Sequence, residues 1–232
     1  MPDVAEHLAA VQARIAAACQ RSGRLRSEVE LIAVSKTFPA EAVGEAAQAG
    51  QSLFGESRLQ EAEPKISTLP PVLRWHFIGG VQRNKVRKLL PLFEAIHAID
   101  SLRLAAYTNQ VAADLNLRPK IFLQVNSGGE ASKGGFDADE IRREIDQLQA
   151  LDRLDILGLM TIPPLDSDPR RWFVELRELR DDLAVRSGKA LPHLSMGMSG
   201  DYEIAIEEGA TFVRVGSAIF GHRAYRVDGE LG

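Results

Sequence analysis

Cysteine is nearly missing from this chain: Cys19 is the one example in 232 residues. A disulfide within the chain is thereby excluded, as is a structural zinc site of the multi-cysteine kind. A reducing, cytoplasmic setting is expected. No apolar run approaches the roughly 18 residues of a membrane helix. The N-terminal segment MPDVAEHLAAVQARIAAACQ is amphipathic and interrupted by acidic residues, so it does not read as a signal peptide. A basic excess is also lacking. The 28 Lys and Arg residues face 32 Asp and Glu, a net charge of −4, which gives no support to a nucleic-acid or anionic-membrane partner. There is no long linker, low-complexity segment or strong repeat, so a single domain over residues 1–232 is expected.

What is present is a rhythm. Short apolar runs fall at residues 31–35, 52–54, 74–78, 95–99, 120–125, 154–160, 193–196 and 211–215. Helical patterns separate them at 40–49, 58–66, 84–90, 102–115, 138–148, 169–186 and 202–208, and another comes first at 4–21. Parallel neighbours need a crossover, so this alternation predicts a parallel sheet. Eight units in this length predict an α/β fold of the closed (β/α)8 TIM-barrel type with an extra N-terminal helix. Local signals agree: Pro39 suits a helix start, Asp137 an N-cap, and Gly50 and Gly209 helix ends. An open doubly wound sheet would announce a G-x-G-x-x-G turn after the first strand, and SKTFPAEAVG is not one.

In a barrel of this kind the active face lies at the C-terminal strand ends. Small and polar residues collect there: Ser35-Lys36-Thr37, Gly55-Glu56-Ser57, Gly79-Gly80, Asn126-Ser127, Thr161, Gly197-Met198-Ser199-Gly200 and Gly216-Ser217. Strand alternation puts Ile32, Val34 and Lys36 on one face, so an inward Val34 sends Lys36 into the mouth. Apolar surroundings favour the neutral amine, which is the species that attacks an aldehyde. The competing reading is a strand-end lysine reaching into solvent. The turn Gly197–Gly200 offers backbone N–H groups and a hydroxyl to an anion, and Gly216-Ser217 adds a second small turn. Both are equally readable as ordinary glycine- and serine-rich turns. Arg214 shares a face with Phe212 and Gly216, so it points inward and requires an acceptor; the alternative is an ion pair with Glu203 or Glu207.

The stretches LIAVSKT, FGES-x-x-QE, WHFIGG-x-Q-x-NK, HAID, SMGMSGD-x-E-x-AI and RVGSAIFG together resemble the pyridoxal phosphate homeostasis protein family, single-domain relatives of the alanine racemase barrel. The resemblance covers nearly the whole chain. It implies that Lys36 carries pyridoxal 5′-phosphate (PLP) as a Schiff base. It further implies that Ser199, Gly216 and Ser217 hold the phosphate with Met198 in the same turn, and that Arg214 faces the pyridine nitrogen. Asn84 and Lys85 match the family's NK pair, which implies that Asn84 also contacts the cofactor, and His76 matches its WHFIG histidine. As one residue of an apolar strand, His76 reads better as a satisfied core histidine. The chain departs from the family pattern at Ser57-Arg58 (usually Asn-Tyr), Gly79-Gly80 (Gly-Pro), Arg83 (Ser) and Gly200-Asp201 (Asp-Asp).

An arginine beside the pyridine nitrogen leaves the ring a weak electron sink, which disfavours transamination and decarboxylation. Racemisation needs an acid–base group on each face of Cα. Lys36 could serve one face; Tyr107, Tyr202 and Tyr225 offer no obvious second group, and no racemase-type second domain is expected after Ser217. The resemblance therefore implies a vitamin B6 homeostasis protein that buffers or delivers PLP to apo-enzymes, without a complete catalytic set and without nucleic-acid or membrane partners. A PLP-dependent racemase or lyase is the alternative, and an aldolase-like barrel a third. A monomer is expected. Lys133 reads as a solvated loop lysine or a transient acceptor of PLP. The basic run Arg83, Lys85, Arg87 and Lys88 reads as a solvated face or an anion-attracting rim.

Overall fold

The computed structural model describes residues 3–129, 134–165 and 167–221. Eight parallel strands, each hydrogen-bonded to the next and the last to the first, close a barrel. They are β1 (Glu30–Val34), β2 (Leu53–Glu56), β3 (Arg74–Phe77), β4 (Ala95–Ile99), β5 (Lys120–Val125), β6 (Asp155–Thr161), β7 (His193–Ser195) and β8 (Phe212–Val215). The closing register pairs Ile32 with Arg214 and Ala33 with Val215. Around the sheet run α1 (Val4–Arg21), α2 (Ala40–Gln48), α3 (Leu59–Thr68), α4 (Val86–Leu89), α5 (Leu102–Asp114), α6 (Ala138–Gln149), α7 (Pro169–Ser187), α8 (Tyr202–Glu207) and α9 (Ser217–Phe220).

The helices form where apolar spacing and capping chemistry coincide. On α1 the buried residues Val4, Leu8, Val11, Ile15 and Ala18 recur at three- and four-residue intervals, and Asp3 caps the helix by accepting from Glu6 N at 3.0 Å. Asp137 caps α6 in a reciprocal box with Glu140. Gly50 and Gly209 follow α2 and α8 with φ of 96° and 97°, which favours glycine.

Strand alternation divides the core in two. Outward side chains such as Leu31, Phe54, Trp75 and Ile121 pack beneath the helices. Inward ones, Ile32, Leu53, Ala95, Phe122, Met160 and Phe212, fill the lower barrel. Its floor is charged: Arg74 bonds Glu30 and Glu94, and Lys120 bonds Glu94 at 2.9 Å. The Arg74 hydrogen bond holds the Glu94 carboxyl down at about 2.

Two expectations need correction. The second strand does not stop at residue 54. Gly55 and Glu56 continue the ladder opposite His76 and Phe77, so Glu56 shares the outward face of Phe54 and turns away from the mouth. The single helix expected over 84–90 is instead a 3-10 turn, Arg83–Lys85, closed by Lys85 N donating to Gln82 O, followed by the short α4. The 3-10 turn at 26–28 and α9 were not anticipated; both are too short to show a helical period.

Candidate functional site

A cavity of about 710 Å³ opens at the C-terminal ends of the strands, within the range of small-molecule sites, about 300–1,000 Å³. Lys36 lies in its wall, one step beyond the inward Val34. Val34, Phe38, Ile78, Ile162 and Met198 supply apolar walls. Ser199, Gly200, Arg214, Gly216 and Ser217 supply the polar ones. The structure thus gathers six of the seven expected ligand-holding residues: Lys36, Met198, Ser199, Arg214, Gly216 and Ser217. Asn84 is exposed on the 3-10 turn and is not among the described lining residues.

The turn after β7 is built by backbone constraints. Gly197 has φ of 91°, and a Cβ there would lie 2.6 Å from Ala205 Cβ and 2.9 Å from Tyr202 Cα, so only glycine fits. Asp201 Oδ1 accepts from Met198 N at 2.6 Å, while Asp201 N and Tyr202 N donate to Met198 O. Burial raises the Asp201 carboxyl pKa. Gly216 N donates to Ser199 Oγ at 3.2 Å, tying the two turns together. A Cβ at Gly216 would come within 3.2 Å of Val34 O. The Ser199 hydroxyl proton and the backbone N–H groups of Ser199, Gly200 and Ser217 have no acceptor among the described residues.

Arg214 points inward from β8, as expected, but its partners are not the carboxylates considered. Glu203 pairs with Arg14 and Arg21, and Glu207 with Arg21 and Arg170, all on the outer helices. Instead Nη1 donates to Ser195 O and Ser195 Oγ, both at 2.7 Å, and Nη2 to Thr161 O at 2.8 Å. Burial lowers the guanidinium to about 10, still charged at neutral pH. One Nη2 proton and the Nε proton remain for a ligand acceptor.

A chain of hydrogen bonds continues below Arg214. The guanidinium can only donate, so Ser195 Oγ accepts from it and keeps its own proton for His97 Nδ1, at 2.8 Å. His97 then bears its proton on Nε2 and gives it to His76 Nδ1, at 2.9 Å. Burial pushes His76 down to about 3 and His97 well below the ordinary value, so both rings are neutral. His76 is a core histidine as expected, but only half satisfied: Nε2 has no partner among the described residues. Sequence reasoning missed His97 and Ser195. Both sit in apolar strands, and only the strand order brings them together.

Of the secondary features, Arg83 stacks on the Tyr107 ring at 4.2 Å and Arg87 pairs with Asp114. Lys85 lines a separate cavity of about 260 Å³ with Ser57 and Arg58. Lys133 and Tyr225 lie outside the described residues. Among the described residues no helix is long and apolar enough to cross a membrane, and no group of His, Cys, Asp and Glu could hold a metal ion.

The donor set suits PLP. It combines an amine for an aldehyde, a guanidinium with protons to spare for a pyridine nitrogen, and hydroxyl and amide donors for a phosphate, around apolar walls.

Comparison with known proteins agrees. The alanine racemase N-terminal domain family matches residues 7–224. The pyridoxal phosphate homeostasis protein of Aquifex aeolicus is 43% identical over 95% of this chain and 98% of its own length. The Escherichia coli K12 protein of the same name is 41% identical over 97% and 99%. The structure of PipY from Synechococcus elongatus, solved with PLP bound, matches with a TM-score of 0.83 and 39% identity, over 94% of this chain and all of that one. The alanine racemase of Clostridium difficile shares the barrel alone, with a TM-score of 0.69 and 16% identity over 58% of its length. The chain therefore belongs to the pyridoxal phosphate homeostasis protein family, built on the alanine racemase N-terminal barrel.

Proposed function

We propose that this chain binds PLP, holds it covalently on Lys36, and serves vitamin B6 homeostasis by storing and releasing it. The observation that carries this reading is the shared cavity. Residues 36, 198–200, 214 and 216–217, far apart in sequence, line one space. When bound, the group supplies an aldehyde, which condenses with an amine with loss of one water, and an electron-withdrawing ring. The chain's own residues then have separate tasks. Lys36 presents its amine between apolar walls. Ser199, Ser217 and the neighbouring amides take the phosphate, Met198 closes the turn they stand on, and Gly216 lets the backbone approach. Arg214 turns its spare protons to the pyridine nitrogen, and its charge opposes protonation of that atom.

Storage is favoured over turnover by the same lining. Among the described residues around the cavity, Lys36 is the one with ordinary acid–base capacity; the rest are apolar, small, hydroxyl-bearing or the guanidinium. Proton transfer at both faces of a substrate Cα would need a second such group. Delivery to apo-enzymes and a monomeric state belong to the same proposal.

The test is borohydride reduction of PLP-loaded protein followed by peptide mass mapping, with incubation of unreduced protein with L-alanine in deuterium oxide. One modified residue, Lys36, and no enzymatic exchange at Cα are expected. A label elsewhere with Lys36 free overturns the site. Exchange at enzymatic rates overturns the storage role in favour of a racemase or lyase.

A further inference from the structure

The turn that carries Lys36 is strained. Thr37 has φ of 72°, one of two described residues other than glycine with positive φ. For a β-branched residue this is a true outlier, kept only where the surroundings impose it. The surroundings here come from one helix. Glu61 on α3 accepts from Thr37 N at 2.9 Å. One helical turn later, Lys65 reaches under the loop and donates to Ser35 O at 2.9 Å and to Glu56 Oε1 at 2.6 Å. Ser35 Oγ donates to the same Glu56 oxygen at 2.7 Å. Phe38 N donates to Ser35 O and closes the turn. Both neighbours of Lys36 are thus gripped by α3, one from the surface and one from the buried side.

We infer that α3 is a clamp: it holds the Lys36 turn in its strained conformation and so sets how readily Lys36 takes the aldehyde, with Glu61 and Lys65 as positioning residues. The inference rests on the PLP reading above. The sequence signal is the helix's own spacing, QE-x-x-x-K directly after the strand that pairs with β1. If the Glu61 bond is lost, Thr37 relaxes to negative φ. The course of residues 36–38 changes, and the amine loses its aim into the cavity. The phosphate turns after β7 and β8 take no part in these bonds.

That separation defines the experiment. Wild type, Glu61→Ala, Glu61→Gln and the double variant Glu61→Ala with Thr37→Gly are compared by two readouts. The first is the borohydride-trapped fraction on Lys36 as PLP is titrated. The second is equilibrium binding of pyridoxine 5′-phosphate, which has the ring and phosphate but no aldehyde. Glu61→Ala is expected to lose about tenfold in trapping and to bind pyridoxine 5′-phosphate as wild type does. Glu61→Gln keeps an acceptor for Thr37 N, and glycine at 37 accepts positive φ at no steric cost. Both are expected to restore trapping. Unchanged trapping in Glu61→Ala, parallel weakening of both ligands, or failure of Thr37→Gly to rescue overturns the clamp. A wild-type protein that takes up neither ligand overturns the PLP reading instead. The clamp is then judged by amide exchange at Thr37 in ligand-free protein: protection lost in Glu61→Ala supports it, and protection retained overturns it.

Discussion

The two sides of the barrel mouth are built by different means. On the Lys36 side, between β1 and β2, the loop is held by side chains: a buried lysine, a buried glutamate and a surface glutamate grip a strained backbone. On the adjoining side, after β7 and β8, the turns are held by backbone close approach and by one serine, with a glycine where no other residue fits. A side that aims a reactive amine needs direction, and long charged side chains anchored on a helix supply it. A side that wraps an anion needs open amides, and glycine supplies those.

The sharpest way to break this contrast is to remove the buried cation. Lys65 and Glu56 are both buried, and Glu56 Oε2 already has no partner among the described residues. Lys65→Met would leave a carboxylate in the dry layer between sheet and helix with only Ser35 to answer it. A cost of about 3–5 kcal/mol is expected, read as a shift in urea denaturation midpoint at neutral pH. Adding Glu56→Gln should recover part of it, because the stranded charge is then gone. A cost below about 1 kcal/mol, the range of a surface pair, would show that charge does not hold this side.

Below both turns, Arg214, Ser195, His97 and His76 form one hydrogen-bonded line through the barrel interior from β8 across to β3. This line predicts a pH dependence. The folded-state values of both histidines lie below their unfolded value of about 6.5. Between about pH 6.5 and 3 the unfolded chain therefore binds protons that the folded chain refuses. Stability is fully present above about pH 6.5 and falls as pH falls, approaching 1.4 kcal/mol per unit for each histidine. His193, lowered by burial too, adds with the same sign. Urea denaturation between about pH 6 and 5, above the carboxylate range, isolates the effect. His97→Gln should flatten the profile. A wild-type profile already flat there would mean that the rings charge inside the folded barrel, and the line of neutral donors would be wrong.

How much of this was legible beforehand follows the range of the interactions. The barrel was readable because alternation of apolar runs and amphipathic helices is a local property, repeated eight times. Lys36, Ser199 and Ser217 were readable because strand ends and small-residue turns announce themselves within a few residues. Arg214 was half readable: its inward direction follows from strand alternation, but its acceptors are carbonyls of β6 and β7, which only the closed strand order supplies. His97 and Ser195 look like any residue of an apolar strand until the sheet places them side by side. The α3 grip was hidden for the same reason. QE-x-x-x-K reads as a solvated helix face unless one knows that Thr37 has positive φ and stands above it. Asn84 shows the reverse limit, since a motif match placed it beside the ligand and the folded chain leaves it exposed outside the described cavity lining.

The smallest expected effect is also the most discriminating between the two sides. Ser199 Oγ accepts from Gly216 N and retains a proton for the cavity. Ser199→Ala removes one hydroxyl donor toward a phosphate and leaves one partly buried amide without its acceptor. Each loss is on the order of 1 kcal/mol, so phosphate ligands should bind roughly five- to tenfold more weakly, measured by calorimetric titration. The loss should be the same for PLP and for pyridoxine 5′-phosphate, because both carry the anion. It should vanish for pyridoxal, which keeps the aldehyde but lacks the phosphate. This is the mirror image of the pattern expected for Glu61→Ala, which affects aldehyde capture and spares the phosphate. If Ser199→Ala instead weakened pyridoxal as much as PLP, the turns after β7 and β8 would be shaping the whole cavity rather than gripping one end of its ligand, and the division of labour across the mouth would fail.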